Sequence, residues 1–111
     1  MARISLPHHS LQVWHLSVEL VRLVGGITVR DIDNRNQARD AASSCARNIA
    51  EGAARSGARD KARVYAIARG EAIECVAAIE IAGAMGACAA EDVARVIELG
   101  GRVSAMLSRL A

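Results

Sequence analysis

The sequence predicts an all-α fold, an antiparallel up-down bundle of four helices, on three observations. Of its 111 residues 52% are apolar, but that share comes largely from Ala, with no Phe, one Trp and one Tyr. Ala is the best helix former, and small side chains let helix axes approach closely, whereas a sheet would need more Val, Ile and aromatic residues. Four stretches carry apolar residues at helical spacing, and the links between the last three are short, as between antiparallel neighbours. A chain of this length is one domain, read here as residues 1–111.

Helix one is expected over about residues 10–24, with Ser10 as N-cap and Gly25-Gly26 ending it. Leu11, Trp14, Val18 and Val21 form one apolar stripe, and Val13, Leu16, Leu20 and Leu23 form a second. A helix apolar on two sides must bury both. One stripe is expected in the core, and the other against a second subunit or an overlying segment, with Val13, Leu16, Leu20 and Leu23 assigned to the subunit contact. The chain is therefore expected to form a homo-oligomer.

Residues 27–36, with Thr28, Asp31, Asp33 and Asn34, read as a connecting loop. Helix two is expected over about 35–56, stopping at Gly57, with a buried stripe of Ala38, Ala41, Ala42, Cys45, Ile49 and Gly52. Its small side chains require a close partner helix. Helix three is expected over about 60–85, capped by Asp60, with Gly86 near its end and Ile67, Gly70, Glu74, Ala78, Ile81 and Met85 on its buried face. Helix four is expected over about 91–110, its stripe running through Val93, Val96, Ile97, Gly100, Val103, Leu107 and Leu110.

Cys45, Cys75 and Cys88 form no CxxC pair and read as reduced, buried thiols, which predicts the cytoplasm. The opening Met1 to Pro7 is too short and polar for a secretory signal, and no apolar run reaches the roughly 18 residues of a membrane span. Residues 30–70 hold nine basic and five acidic groups, whereas residues 71–111 hold three and six. A polyanion partner would lie along helix two and the turn into helix three. The competing reading is a solvated, Arg-rich helix surface, in keeping with a net charge of only +2.

Arg47, Asn48, Glu51 and Glu74 make the best candidate polar site. A carboxylate on a buried stripe costs several kcal/mol unless paired, so Glu74 is expected to meet Arg47 or Asn48 in a structural tie between helices two and three. No nucleophile, metal cluster or phosphate loop accompanies it, so no catalytic residue, no cofactor and no enzyme activity is expected. His8 and His15 stand seven apart, lack the i,i+4 spacing and carboxylate of a metal pair, and read as surface histidines. No Glu is followed three residues later by His, which excludes the di-iron pattern of helical bundles.

Leu11-Gln12-Val13-Trp14 with Leu20 and Val21, the lead-in from Gln37 to Ser44, Asn48-Ile49-Ala50-Glu51-Gly52, and Ile67-Ala68 with Gly70 and Glu74 together resemble a bacterial four-helix-bundle family. That family was first noticed as reading frames within intervening sequences of the large-subunit ribosomal RNA gene. The chain departs from its pattern at Ile27-Thr28-Val29 and Val64-Tyr65, where aromatic residues are common, and at Glu71, where a small hydroxyl residue is usual. The resemblance implies assembly into a homopentamer. Similar proteins serve as accessory subunits of diversity-generating retroelements, binding a reverse transcriptase and nucleic acid. By that resemblance Arg35, Arg39, Arg47, Arg55, Arg59 and Lys61 would contact RNA or DNA phosphates, with little base readout and steep salt dependence. The alternative is a structural or protein-interaction module that binds no nucleic acid.

Overall fold

The computed structural model describes residues 4–111. A short 3-10 turn, Pro7–Ser10, leads into α1 (Gln12–Gly26), α2 (Ile32–Ala54), α3 (Ala58–Ala84) and α4 (Ala90–Leu110). No strand forms among the described residues. An isolated bridge between Val29 and Cys88 ties the α1–α2 and α3–α4 links together.

Local chemistry explains the boundaries. The Asp31 carboxylate accepts the Asn34 amide at 3.0 Å and caps α2, so the helix begins within the stretch read as a loop. Side chains that favour loops are equally the side chains that start helices. The caps assigned to Ser10 and Asp60 are instead occupied by Leu11 and Gly57, neither of which makes a side-chain cap bond. At the end of α3, Gly86 takes φ +74°, and the amides of Gly86 and Ala87 bond Gly83 and Ala82 at 3.0 and 2.8 Å. This Schellman motif needs the left-handed conformation that glycine adopts without strain.

Three helix C-termini receive cations from elsewhere in the chain. Arg39 donates to the Val24 and Gly25 carbonyls at the end of α1, and Lys61 donates to Gly52 and Ala53 at the end of α2. Arg30 reaches the Gly86 carbonyl beyond α3. Each cation satisfies carbonyls that have no partner within their own helix and meets the negative end of the helix dipole.

The core resolves into two clusters that fix the helix directions. One joins Leu20 and Val24 of α1, Ala38 and Ala42 of α2, Ile79 and Ala82 of α3, and Val96 of α4. The other joins Val13 and Leu16, Cys45 and Ile49, Tyr65 and Ala68, and Val103 and Leu107. Late α1 thus meets early α2, late α3 and early α4, which is the up-down antiparallel arrangement. The molecule measures 45 × 35 × 20 Å. Its thin dimension is two helix diameters, so each helix turns one side outward.

The stripe on α2 lies in the core as read, with Ala38, Ala41, Ala42, Cys45, Ile49 and Gly52 all buried. Close approach there is literal. A Cβ on Gly52 would stand 2.9 Å from the Tyr65 ring, so glycine makes room for the aromatic plate of α3.

Two expectations about the buried faces also fail. Val13, Leu16 and Leu20, assigned to a subunit interface, are buried in the core, and Leu23 is half-buried against it. The other stripe is also covered within the chain, since Leu11 and Trp14 pack on one core cluster and Val21 on the other. The ring of His8 further stands edge-on to Trp14 at 4.4 Å. On α3 the face read as buried points outward. Val64, Tyr65, Ala68, Ala72, Cys75, Ala78, Ile79 and Ala82 face the core instead, and Ala78 alone belongs to both sets. The small stripe of α2 accepts the small stripe of α3, so side-chain size rather than hydrophobicity selects the buried face.

Candidate functional site

The polar tie proposed between helices two and three does not form. Glu74 is exposed. Arg47 donates to the Ser43 hydroxyl at 2.6 Å, Asn48 to the Ser44 carbonyl at 2.9 Å, and Glu51 pairs with Arg55 at 2.7 Å. Each partner is found one turn away on α2, where i,i+4 neighbours are already within reach.

Four of the six residues considered for phosphate contact have partners within the chain. Arg39 and Lys61 cap helices, Arg47 holds Ser43, and Arg55 also reaches Asp60 at 3.4 Å. Arg35 is half-buried, with an Nε that meets no hydrogen-bond partner among the described residues. Arg59 is exposed at the start of α3 and enters no ion pair among the described residues.

Cys45, Cys75 and Cys88 are free and buried. Burial pushes Cys45 and Cys75 up to about 12, with the neighbouring Cys75 and Glu71 adding to the effect on Cys45. At neutral pH both are packed thiols, not nucleophiles. Their folded pKa values lie above those of the unfolded chain, so folding stability is fully present below about pH 9 and declines as pH rises toward 12. A urea-denaturation series from pH 7 to 11 is expected to show that decline, and Cys45→Ala with Cys75→Ala is expected to flatten it. An equal slope in the variant would reject the thiols as its source.

The outward side of α3 is the unusual surface. Along it run Ala66, Ile67, Gly70, Ile73, Ala77, Ile81, Ala84 and Met85. Ile67, Ile73, Ile81 and Met85 are 45, 46, 51 and 60% exposed, so α3 carries large apolar side chains on its outward side as well as a buried inner side, with Arg59, Arg63, Arg69, Glu74 and Glu80 among them or at their margins. The neighbouring helices differ. The outward side of α2 carries Asn36, Asp40, Arg47 and Glu51, and that of α4 alternates Glu91, Arg95, Glu98 and Arg102. Those are solvated helix faces.

Gly70 and Gly101 add a second sign. Both lie in helix interiors, where glycine costs about 1 kcal/mol relative to alanine, yet nothing stands within 4 Å of a Cβ built on either. Gly101 lines the trough between α3 and α4, with Ile73 and Ile97 on its walls. A second depression on the opposite flank of α3 is lined by Asn34, Gln37, Glu74, Ala77, Ala78 and Ile81. Helix α3 is therefore a ridge between two hollows. Sequence reasoning placed Ile67, Ile81 and Met85 on one stripe but turned it inward, and it omitted Ile73 and Gly101. The available signal was that isoleucines fall on both sides of helix three, together with its interior glycine.

Among the described residues no group of three or more His, Cys, Asp or Glu side chains is placed to hold a metal ion, and no helix is long and apolar enough to cross a membrane. Fold and surface together define a class: an all-α, four-helix protein whose longest helix presents an apolar outer face. The chain belongs to the 23S rRNA-intervening sequence protein family, whose pattern it matches over residues 9–109. No curated protein matches it.

Proposed function

We propose that this protein is a non-catalytic, self-assembling helical scaffold of the cytoplasm, and that the outward face of α3 is where its copies meet. The observation that carries this reading is the exposed apolar surface of α3. Isolated exposed apolar residues are ordinary, but four large ones on one side of the last two-thirds of a helix, Ile67, Ile73, Ile81 and Met85, mark an interaction surface. Gly70 and Gly101 favour the same reading, because the absent Cβ atoms admit another backbone closely. The family resemblance puts the number of copies at five, in a closed ring.

Sedimentation velocity tests the proposal. The parent protein is expected to sediment as an oligomer, and Ile73→Glu with Ile81→Glu as a folded monomer of unchanged helical ellipticity. A monomeric parent at about 100 µM, a concentration at which even weak non-covalent contacts register, would end this reading.

A second reading, a scaffold that also binds nucleic acid, draws on exposed Arg59 and on Arg47 at the basic end of the chain. Phosphate contacts predict tight binding of structured RNA at about 50 mM salt, falling steeply by about 200 mM and lost in Arg47→Glu with Arg59→Glu. Fluorescence anisotropy reads this directly. Absence of binding at the lower salt leaves protein–protein assembly alone.

A further inference from the structure

We propose that copies of this chain join head to tail, the α2/α3 flank of one seated on the α3/α4 flank of the next, with Glu74 of the first paired to Arg69 of the second. The inference rests on the self-assembly proposed above and specifies its geometry.

The two hollows beside the α3 ridge differ in chemistry. The one toward α2, about 210 Å³, offers the Glu74 carboxylate and the Asn34 and Gln37 amides beside Ala77, Ala78 and Ile81. The one toward α4, about 390 Å³, is walled by Ile73, Ile97, Gly101 and Ala105, with Arg69 and Glu80 as its charged groups. Arg69 and Glu74 are five residues apart, which at 3.6 residues per turn sets them on opposite margins of the outward face.

The charges on this face are unevenly matched. Arg63, also on the outward side, is held by Asp60 at 2.9 Å. The remaining ion pairs among the described residues join Arg55 to Glu51 and Asp60, and Arg95 to Asp92, so neither Arg69 nor Glu74 takes part in one there. A carboxylate covered by a second subunit needs a cation to offset its desolvation. A two-fold contact laying α3 against an antiparallel copy would set each flank on its own kind, carboxylate beside carboxylate. A contact joining unlike flanks sets Glu74 against Arg69, and when its rotation closes it builds a ring. Glu80 lies eleven residues beyond Arg69 on α3, about 16 Å along the axis, too far to compete for the same guanidinium.

Charge reversal tests the pair. Glu74→Arg and Arg69→Glu are each expected to weaken self-association at least about tenfold by sedimentation equilibrium, because each sets like charges face to face. The double variant is expected to restore association, because each altered residue then meets its complement at every contact. Circular dichroism monitors folding. Should either reversal lose helical ellipticity, Glu74→Gln and Arg69→Gln are compared instead, each expected to weaken association while the monomer stays folded. Single variants that associate like the parent would overturn the pairing and leave the scaffold reading standing. Weakened single variants that the double variant does not restore would also overturn it. A parent monomeric at all concentrations would remove the scaffold reading itself.

Discussion

Replacing Gly100 with leucine is expected to prevent α4 from docking and to leave a chain that does not fold cooperatively. Gly100 is buried where α4 crosses α3, and a Cβ built on it falls far inside van der Waals contact with the Val76 side chain, with the Ala72 carbonyl close behind at 3.9 Å. Even alanine must displace the β-branched Val76, which has few alternative rotamers in a helix. Alanine also gains up to about 1 kcal/mol in helix propensity, so the two effects oppose one another. Overpacking of a close helix crossing costs about 1–3 kcal/mol, and we expect the clash to win. Gly100→Ala should melt several degrees below the parent, at about 4–8 °C per kcal/mol for a domain of this size, and Gly100→Leu should show no cooperative transition. Gly101→Ala is the control, since that position is open. A Gly100→Ala variant more stable than its parent would show that α3 and α4 separate easily and that the crossing is not tight.

Leu20→Ala is expected to cost about 3 kcal/mol, within the 2–5 kcal/mol range for large-to-small core substitutions. Leu20 is fully buried, with Val24, Ala38, Ile79 and Val96 in its cluster, and these backbone-anchored neighbours cannot collapse fully into the space a leucine leaves. The same experiment separates two accounts of α1. If Leu20 is core, denaturant midpoints fall while the folded variant associates like the parent. If it belonged to a subunit contact, association would weaken and the monomer would keep its stability. Ile73→Glu with Ile81→Glu should behave in the opposite way, because those side chains face outward.

The contrast between α2 and α3 shows what was legible. The stripe from Ala38 to Gly52 could be placed because its other side is polar, with Asn36, Asp40, Arg47 and Glu51, leaving one way to turn the helix. Helix three offers two apolar sides. Counting hydrophobicity favours the side with Ile67, Ile81 and Met85, but the core selects Ala68, Ala72, Cys75 and Ala82 because α2 presents only small residues and the axes must come close. Helix α1 likewise offers two apolar sides, and there Val13, Leu16 and Leu20 are the core.

Glu74 carries that lesson into the candidate site. Its place on an apolar stripe is visible in the sequence, and the inference that a covered carboxylate needs a cation is sound. What the sequence does not show is that Glu74 stands exposed on the α2 margin of α3 while Arg47 and Asn48 bond Ser43 and Ser44, so under the proposed assembly the requirement passes to a neighbouring copy. Basic residues follow the same pattern. Arg39, Lys61 and Arg30 look like free surface charge until the helix ends they cap are brought beside them.

By itself, then, the sequence determined the number of helices, their approximate spans, the antiparallel order and the family, because these depend on propensity, periodicity and link length, which are local properties. Only the tertiary structure decided which side of α1 and α3 is buried, which cations are already engaged and where the apolar surplus lies. Those are settled by fit between side chains distant in sequence, through the close approach of Gly52 to Tyr65 and of Gly100 to Val76.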